Sequence, residues 1–243
     1  MKTKYKKCYL MILIVMVLNL CVGCEKSLQS NNGTTSEEKT NSTATLNHDE
    51  ESTNEKLTEL STNWEDMMFD INGELYHLST SYKALEKNGW VVDYENCKYE
   101  KDYIMEPGEY TLQSHDIFHD QYQENEGRER FYITMSFYNN TNQKTTWSEA
   151  SVSCFSASIS ENTDVVYEIN YPSITLANEI AWGATLDEIK AAFGEPQSQK
   201  ESQYQPTEYT LFYYNNEETK EMTLVVHEKY GLIQIKLQES FNQ

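Results

Sequence analysis

Positive charge is what this chain has least of. Its 243 residues hold 19 Lys and Arg against 39 Asp and Glu, and arginine occurs only at Arg128 and Arg130. A formal charge of −20 repels phosphate backbones and anionic head groups, which excludes nucleic acid as a partner. Catalytic signatures are missing as well. There is no Gly-x-Ser-x-Gly elbow, no His-Glu-x-x-His, no phosphate loop and no dinucleotide fingerprint. No cysteine stands in a papain-like context. These absences argue against an enzyme, and no cofactor is implied. The apolar run Tyr9 to Leu18 falls short of the ~20 residues that a membrane-spanning helix requires. Aromatic residues are almost absent from Ser27 to Thr62, a stretch rich in Ser, Thr, Asn and Glu. Such a segment buries too little apolar surface to offset the entropy of ordering, so it reads as a disordered tether.

What is present at the start is an address. Lys2, Lys4, Lys6 and Lys7 precede the apolar run, no acidic residue comes before Glu25, and the run ends Leu20-Cys21-Val22-Gly23-Cys24. A basic start, a short apolar core and small residues at the end make a secretory signal peptide. The last residues resemble the lipobox of bacterial lipoproteins. That resemblance implies export, cleavage before Cys24 and a diacylglyceryl thioether on Cys24, which would hold the chain at the outer face of the bacterial cytoplasmic membrane. More than one acyl chain gives stable anchoring, at about 0.8 kcal/mol per buried methylene. Residues 1–23 are then the signal, and residues 24–62 the lipidated cysteine and tether. Loss of the four signal lysines leaves 15 cations (19 − 4) against 39 acids, a charge of −24.

Beyond residue 62 the composition changes, and all four tryptophans lie there. Period-two alternation marks strands. Phe131, Ile133, Met135 and Phe137 share a face within Glu129 to Tyr138. Thr207 to Tyr214 and Lys220 to His227 read as a pair joined by Asn215-Asn216-Glu217-Glu218, and Leu232 to Leu237 completes a meander. Trp147 to Ser158 is a further strand. Helices are expected at Thr80 to Asn88 and from Thr185. In the second, Thr185 and Glu188 form a capping box, and Gly194 and Pro196 form the stop. The two helices lie at a constant offset, with an apolar strand segment before each, which suggests two related modules.

The segment Ile180-Ala181-Trp182-Gly183-Ala184-Thr185-Leu186-Asp187-Glu188-Ile189, continuing to Phe193-Gly194-Glu195-Pro196, resembles the small exported domains of β-lactamase-inhibitor-protein-like fold, among them the BamE (SmpA/OmlA) lipoproteins. Phe69-Asp70-Ile71-Asn72-Gly73-Glu74-Leu75-Tyr76 is similar to the start of many clostridial-type surface lipoproteins. Together they imply an α+β chain of two small modules, each a short helix packed on an antiparallel sheet, at 63–165 and 166–243. Nothing catalytic is carried over.

Three sets of residues are candidates for function. His115 and His119, four apart, would share one face of a helix and could hold a divalent metal. Cys97 and Cys154 remain outside the signal and leave open either a disulfide or two thiols. Eighteen tyrosines is a high count, and Tyr204, Tyr209, Tyr213 and Tyr214 gather around one strand. Tyrosine gives rigid contact area with a polar tip, so this cluster is a candidate binding face, against ordinary strand preference. The expectation is a lipid-anchored extracytoplasmic binding module without catalysis. Its partner would be a protein at the cell surface ahead of wall polymer. A metal-binding surface lipoprotein is the alternative.

Overall fold

Wherever apolar residues recur at every second position the chain is extended, and those runs make most of the structure. The computed structural model describes residues 59–111, 114–123, 130–159, 171–203 and 205–241. Among them the strands are β1 (Met68–Ile71), β2 (Glu74–His77), β3 (Val91–Val92), β4 (Ile104–Met105), β5 (His115–Gln123), β6 (Arg130–Tyr138), β7 (Thr145–Thr146), β8 (Ser151–Ser158) and β9 (Ile174–Leu176). After them come β10 (Ser198–Glu201), β11 (Glu208–Tyr214), β12 (Lys220–His227) and β13 (Gly231–Glu239). Two α-helices occur among the described residues, α1 (Tyr82–Glu86) and α2 (Leu186–Phe193).

The strands form an eight-stranded antiparallel sheet in the order β10-β11-β12-β13-β8-β6-β5-β3, a three-stranded sheet β2-β1-β9 and the pair β4-β7. This overturns the expected α+β pair of helix-on-sheet modules. The fold is mainly β. The strands read as belonging to two modules are one sheet, because β13 pairs with β8, with Leu237 opposite Phe155 and Ile235 opposite Ala157. The small sheet crosses the same divide, with Phe69 of β1 opposite Leu176 of β9. Helices of five and eight residues are too short to be the second layer of two separate modules. Alternation fixes which face a residue takes but not which strand it pairs with, and the module reading failed on the pairing.

Local structure follows the sequence closely at α2. The Thr185 hydroxyl accepts from the Glu188 N–H, and the Glu188 carboxylate accepts from the Thr185 N–H at 2.8 Å. The helix stops at Gly194, whose φ is 81°. Gly194 also accepts a hydrogen bond from the Tyr213 hydroxyl at 3.1 Å. α1 has no side-chain cap at Ser81 and is held by packing. Tyr82 and Leu85 are buried, and the Tyr82 hydroxyl donates to the Trp90 carbonyl at 3.0 Å.

One face of the large sheet is covered. Phe69 of β1 stacks on Phe155 of β8 with centroids 4.2 Å apart. Phe193 of α2 meets Tyr213 of β11 edge-on at 5.9 Å, and Tyr82 of α1 lies 5.3 Å from Trp147. The small sheet and both helices thus close the same core. Each large side chain buried there contributes about 1.5–3 kcal/mol. Among the described residues no helix is long and apolar enough to cross a membrane.

Candidate functional site: the open face of the large sheet

The strand register sorts the side chains into two sets. One row across the sheet reads Leu211, Leu224, Ile235, Ala157, Ile133, Ile117, and a parallel row reads Tyr213, Met222, Leu237, Phe155, Met135, His115. Every member of both rows is buried. One residue along, the rows alternate to the opposite face. There the sequence across the strands is Ser198, Phe212, Thr223, Lys236, Ser156, Thr134, Asp116. Its neighbour reads Tyr214, Glu221, Gln238, Cys154, Ser136. These side chains are half-buried or, at Asp116, exposed.

This open face is rich in hydroxyls and carries charges of both signs, Lys236 and Lys200 against Glu221 and Asp116. Thr134 Oγ1 donates to Asp116 Oδ1 at 3.2 Å, Thr223 Oγ1 donates to Glu221 Oε1 at 2.7 Å, and the Ser114 and Ser136 hydroxyls lie 3.0 Å apart. Lys236 stands near the centre with its Nζ 3.8 Å from Glu221 Oε1, and Lys200 covers the Phe212 ring at 4.9 Å. Aromatic contact area sits at both sides. Phe212 and Tyr214 are stacked within β11 at 6.4 Å, and Phe118 and Tyr132 meet edge-on at 6.0 Å. Burial, reinforced by the charges of Glu221 and Glu218, raises the Tyr214 phenol above its ordinary range.

The tyrosines named from sequence do not form one surface. Strand alternation sends Tyr213 into the core, where it is 1% exposed and burial pushes its phenol up to about 12. Tyr209 points to the covered side beside Thr185 and Leu186 and donates to Glu228 at 2.9 Å. Only Tyr214 lies on the open face. Tyr204 and Cys24 lie outside the described residues.

The paired histidines lose the helix on which the metal reading rested. Both lie on β5, where positions four apart are separated by roughly 13 Å at ~3.3 Å per residue. His115 ends a core row between Tyr99 and Trp147 at 5.2 and 4.4 Å, while His119 packs on Trp90 and Tyr122 at 5.6 and 5.4 Å. Neither ring nitrogen of His115 has a hydrogen-bond partner of good geometry, and burial, opposed by a smaller raising effect of the Met135 backbone, depresses the imidazole to about 4. Among the described residues no group of three His, Cys, Asp or Glu side chains comes together. Cys97 and Cys154 are free thiols rather than a disulfide, and burial raises both above the ordinary thiol range.

Sequence reasoning passed over Thr223, Lys236, Ser156 and Thr134, the centre of the open face. Their signal is present as the polar positions alternating with the core residues of β6, β8, β12 and β13. Nothing in the sequence alone says that the four strands lie side by side. Comparison with protein-family models, with curated proteins and with solved structures finds no match to this chain.

Proposed function

We propose that the chain is a lipid-anchored extracytoplasmic binding module that engages a protein through the open face of its eight-stranded sheet, without turnover. The observation that carries this reading is the asymmetry of that sheet. The residues of one face are buried, while those that alternate with them on the other are half-buried or exposed. Size supports a folded partner. The six long strands, at ~4.8 Å spacing and ~3.4 Å per residue, lay out roughly 800 Å². That area is about one partner's share of a standard interface.

Site-specific photo-crosslinking on intact cells tests the reading. A benzophenone amino acid is placed at Thr223 or Ser156 on the open face, and at Glu86 or Asp187 on the helices. The expected result is an adduct from the face positions that disappears when a second substitution, Thr134→Arg, crowds the same surface. Adducts from the helix positions alone would overturn the assignment of the face.

A further inference from the structure

Residues 94–103 contain no helix or strand, and they close one end of the core. His115 ends the row of buried side chains there, and Tyr99 of this segment stacks on its ring at 5.2 Å with an interplanar angle of 15°. Trp147 and Phe137 pack against the same ring at 4.4 and 5.0 Å. His115 and Trp147 are fully buried while Tyr99 is half-buried, so Tyr99 is the cover on the solvent side. Its segment is lightly held. The Trp147 indole N–H donates to the Glu100 carbonyl at 3.1 Å, the Trp147 backbone N–H donates to the Tyr103 carbonyl at 3.3 Å, and Tyr99 packs on Tyr103 at 4.8 Å. A segment with few buried apolar contacts opens at lower cost than the sheet beneath it.

We propose that residues 94–103 are an acid-released flap: when Tyr99 lifts away, the His115 imidazole takes up a proton from solvent, and the imidazolium then keeps the flap from closing. This stands apart from the binding face, because His115 points into the core. A closed flap would bury a cation with two N–H donors, and neither ring nitrogen has an acceptor of good geometry. Burying a charge without a partner is strongly unfavourable. The charged groups of the surrounding elements do not supply one. On the segment, Glu95, Lys98, Glu100, Lys101 and Asp102 are exposed, the Cys97 thiol is half-buried, and Tyr103 donates to Glu109. On β5, Asp116 takes the opposite face of the sheet, and the facing residues of β6, Met135 and Phe137, are apolar. Asp93, at the end of β3, accepts from Asn96 at 2.9 Å and from Tyr132 at 3.4 Å. Beside Trp147, Glu149 pairs with Lys83, and the Tyr82 hydroxyl donates to the Trp90 carbonyl. Burial accordingly lowers the imidazole from 6.5 to about 4. The open flap restores the ordinary value, so opening becomes easier as the pH falls below 6.5 and gains nothing further below about 4.

Amide exchange of the native full-length chain, followed by nitrogen-edited NMR at pH 7.5 and 5.0, tests the flap. The reporters are the Tyr103 amide, the Trp147 amide and the Trp147 indole N–H, with β12 and β13 as the reference. After correction for intrinsic exchange, the reporters should lose protection about 25-fold between the two pH values, while remaining less protected than β12 and β13. His115→Phe keeps a ring in the stack and cannot titrate, and His115→Leu removes the ring. Each should reduce that loss to less than threefold. Tyr99→Leu should lower the protection of the reporters already at pH 7.5 and keep the 25-fold acid effect, and it tests the flap in a chain that retains His115. An acid effect that persists in His115→Phe, or no change at pH 7.5 in Tyr99→Leu, would overturn the proposal. So would reporters that exchange at the same rate as β12 and β13 at pH 5.0, since His115 would then be uncovered only by unfolding of the whole sheet.

Discussion

His115 is a titratable group placed where a hydrocarbon would be at home. It completes a core row that otherwise reads Tyr213, Met222, Leu237, Phe155, Met135, and neither of its ring nitrogens has a hydrogen-bond partner of good geometry. Its folded pKa of about 4 lies below the ordinary value of 6.5, so the unfolded chain binds the proton more readily. The folded state therefore keeps its full stability above pH 6.5 and loses it progressively as the pH falls towards 4. At about 1.4 kcal/mol per unit, the whole loss is about 3 kcal/mol. His115→Leu should flatten that loss, and thermal unfolding of both proteins between pH 7.5 and 4.5 reads it out. Equal drops in Tm for the two would contradict the account. Two glycines separate conformational strain from collision. A Cβ on Gly231 would lie 2.0 Å from the Gly183 carbonyl oxygen, whereas Gly73 has nothing within 4 Å, and both have positive φ. Gly73→Ala should cost about 1–2 kcal/mol from backbone strain alone. Gly231→Ala should cost about 3 kcal/mol or more, because backbone cannot yield as a side chain can. Denaturant unfolding of the pair measures the difference. The spacing of His115 and His119 is legible in the sequence, but its meaning depends on the backbone period, and a strand turns a helix-like pair into two separate aromatic contacts.

Elements built from local signals are the most legible part of the chain. α2 is written by Thr185, Glu188 and Gly194, and its capping box is in place. β6, β11, β12 and β13 follow from alternation, and Phe131, Ile133, Met135 and Phe137 are all buried. The pairings β8–β13 and β1–β9 are not legible, since they join residues far apart in sequence and leave no local trace. The fold class turns on those two pairings. Without them the same elements read as two modules, and with them they are one sheet with a covered and an open face. The open face was equally hidden, because Thr223, Lys236, Ser156 and Thr134 become neighbours only through β12–β13, β13–β8 and β8–β6. Thr185→Ala tests the local signal by itself. It removes a side-chain acceptor for the first turn of α2 and should cost about 1 kcal/mol. The effect should stay local. Amide exchange should quicken in residues 186–189 and remain unchanged in β12 and β13. Faster exchange across the sheet would mean that the cap holds more than its own helix.

At the scale of the whole molecule, charge and address work together. An acidic chain held at a membrane surface is repelled by anionic head groups, so electrostatics cannot keep it there, and the proposed anchor must come from hydrocarbon. The proposal assigns that role to Cys24 alone. A thioether-linked diacylglyceryl group supplies two acyl chains, and each buried methylene adds about 0.8 kcal/mol. Losing the sulfur therefore loses the lipid, and a processed chain would have no electrostatic contact to replace it. Cys24→Ser should abolish incorporation of radiolabelled palmitate. It should also shift the protein from the membrane fraction to the medium, or leave it as the unprocessed form with residues 1–23 still attached. Cys97→Ser and Cys154→Ser serve as controls. Both thiols are partly buried and free in the fold, so neither substitution should change labelling or fractionation. Palmitate incorporation that survives Cys24→Ser would place the lipid elsewhere, and the same acidic body would then need a different means of reaching an exported partner.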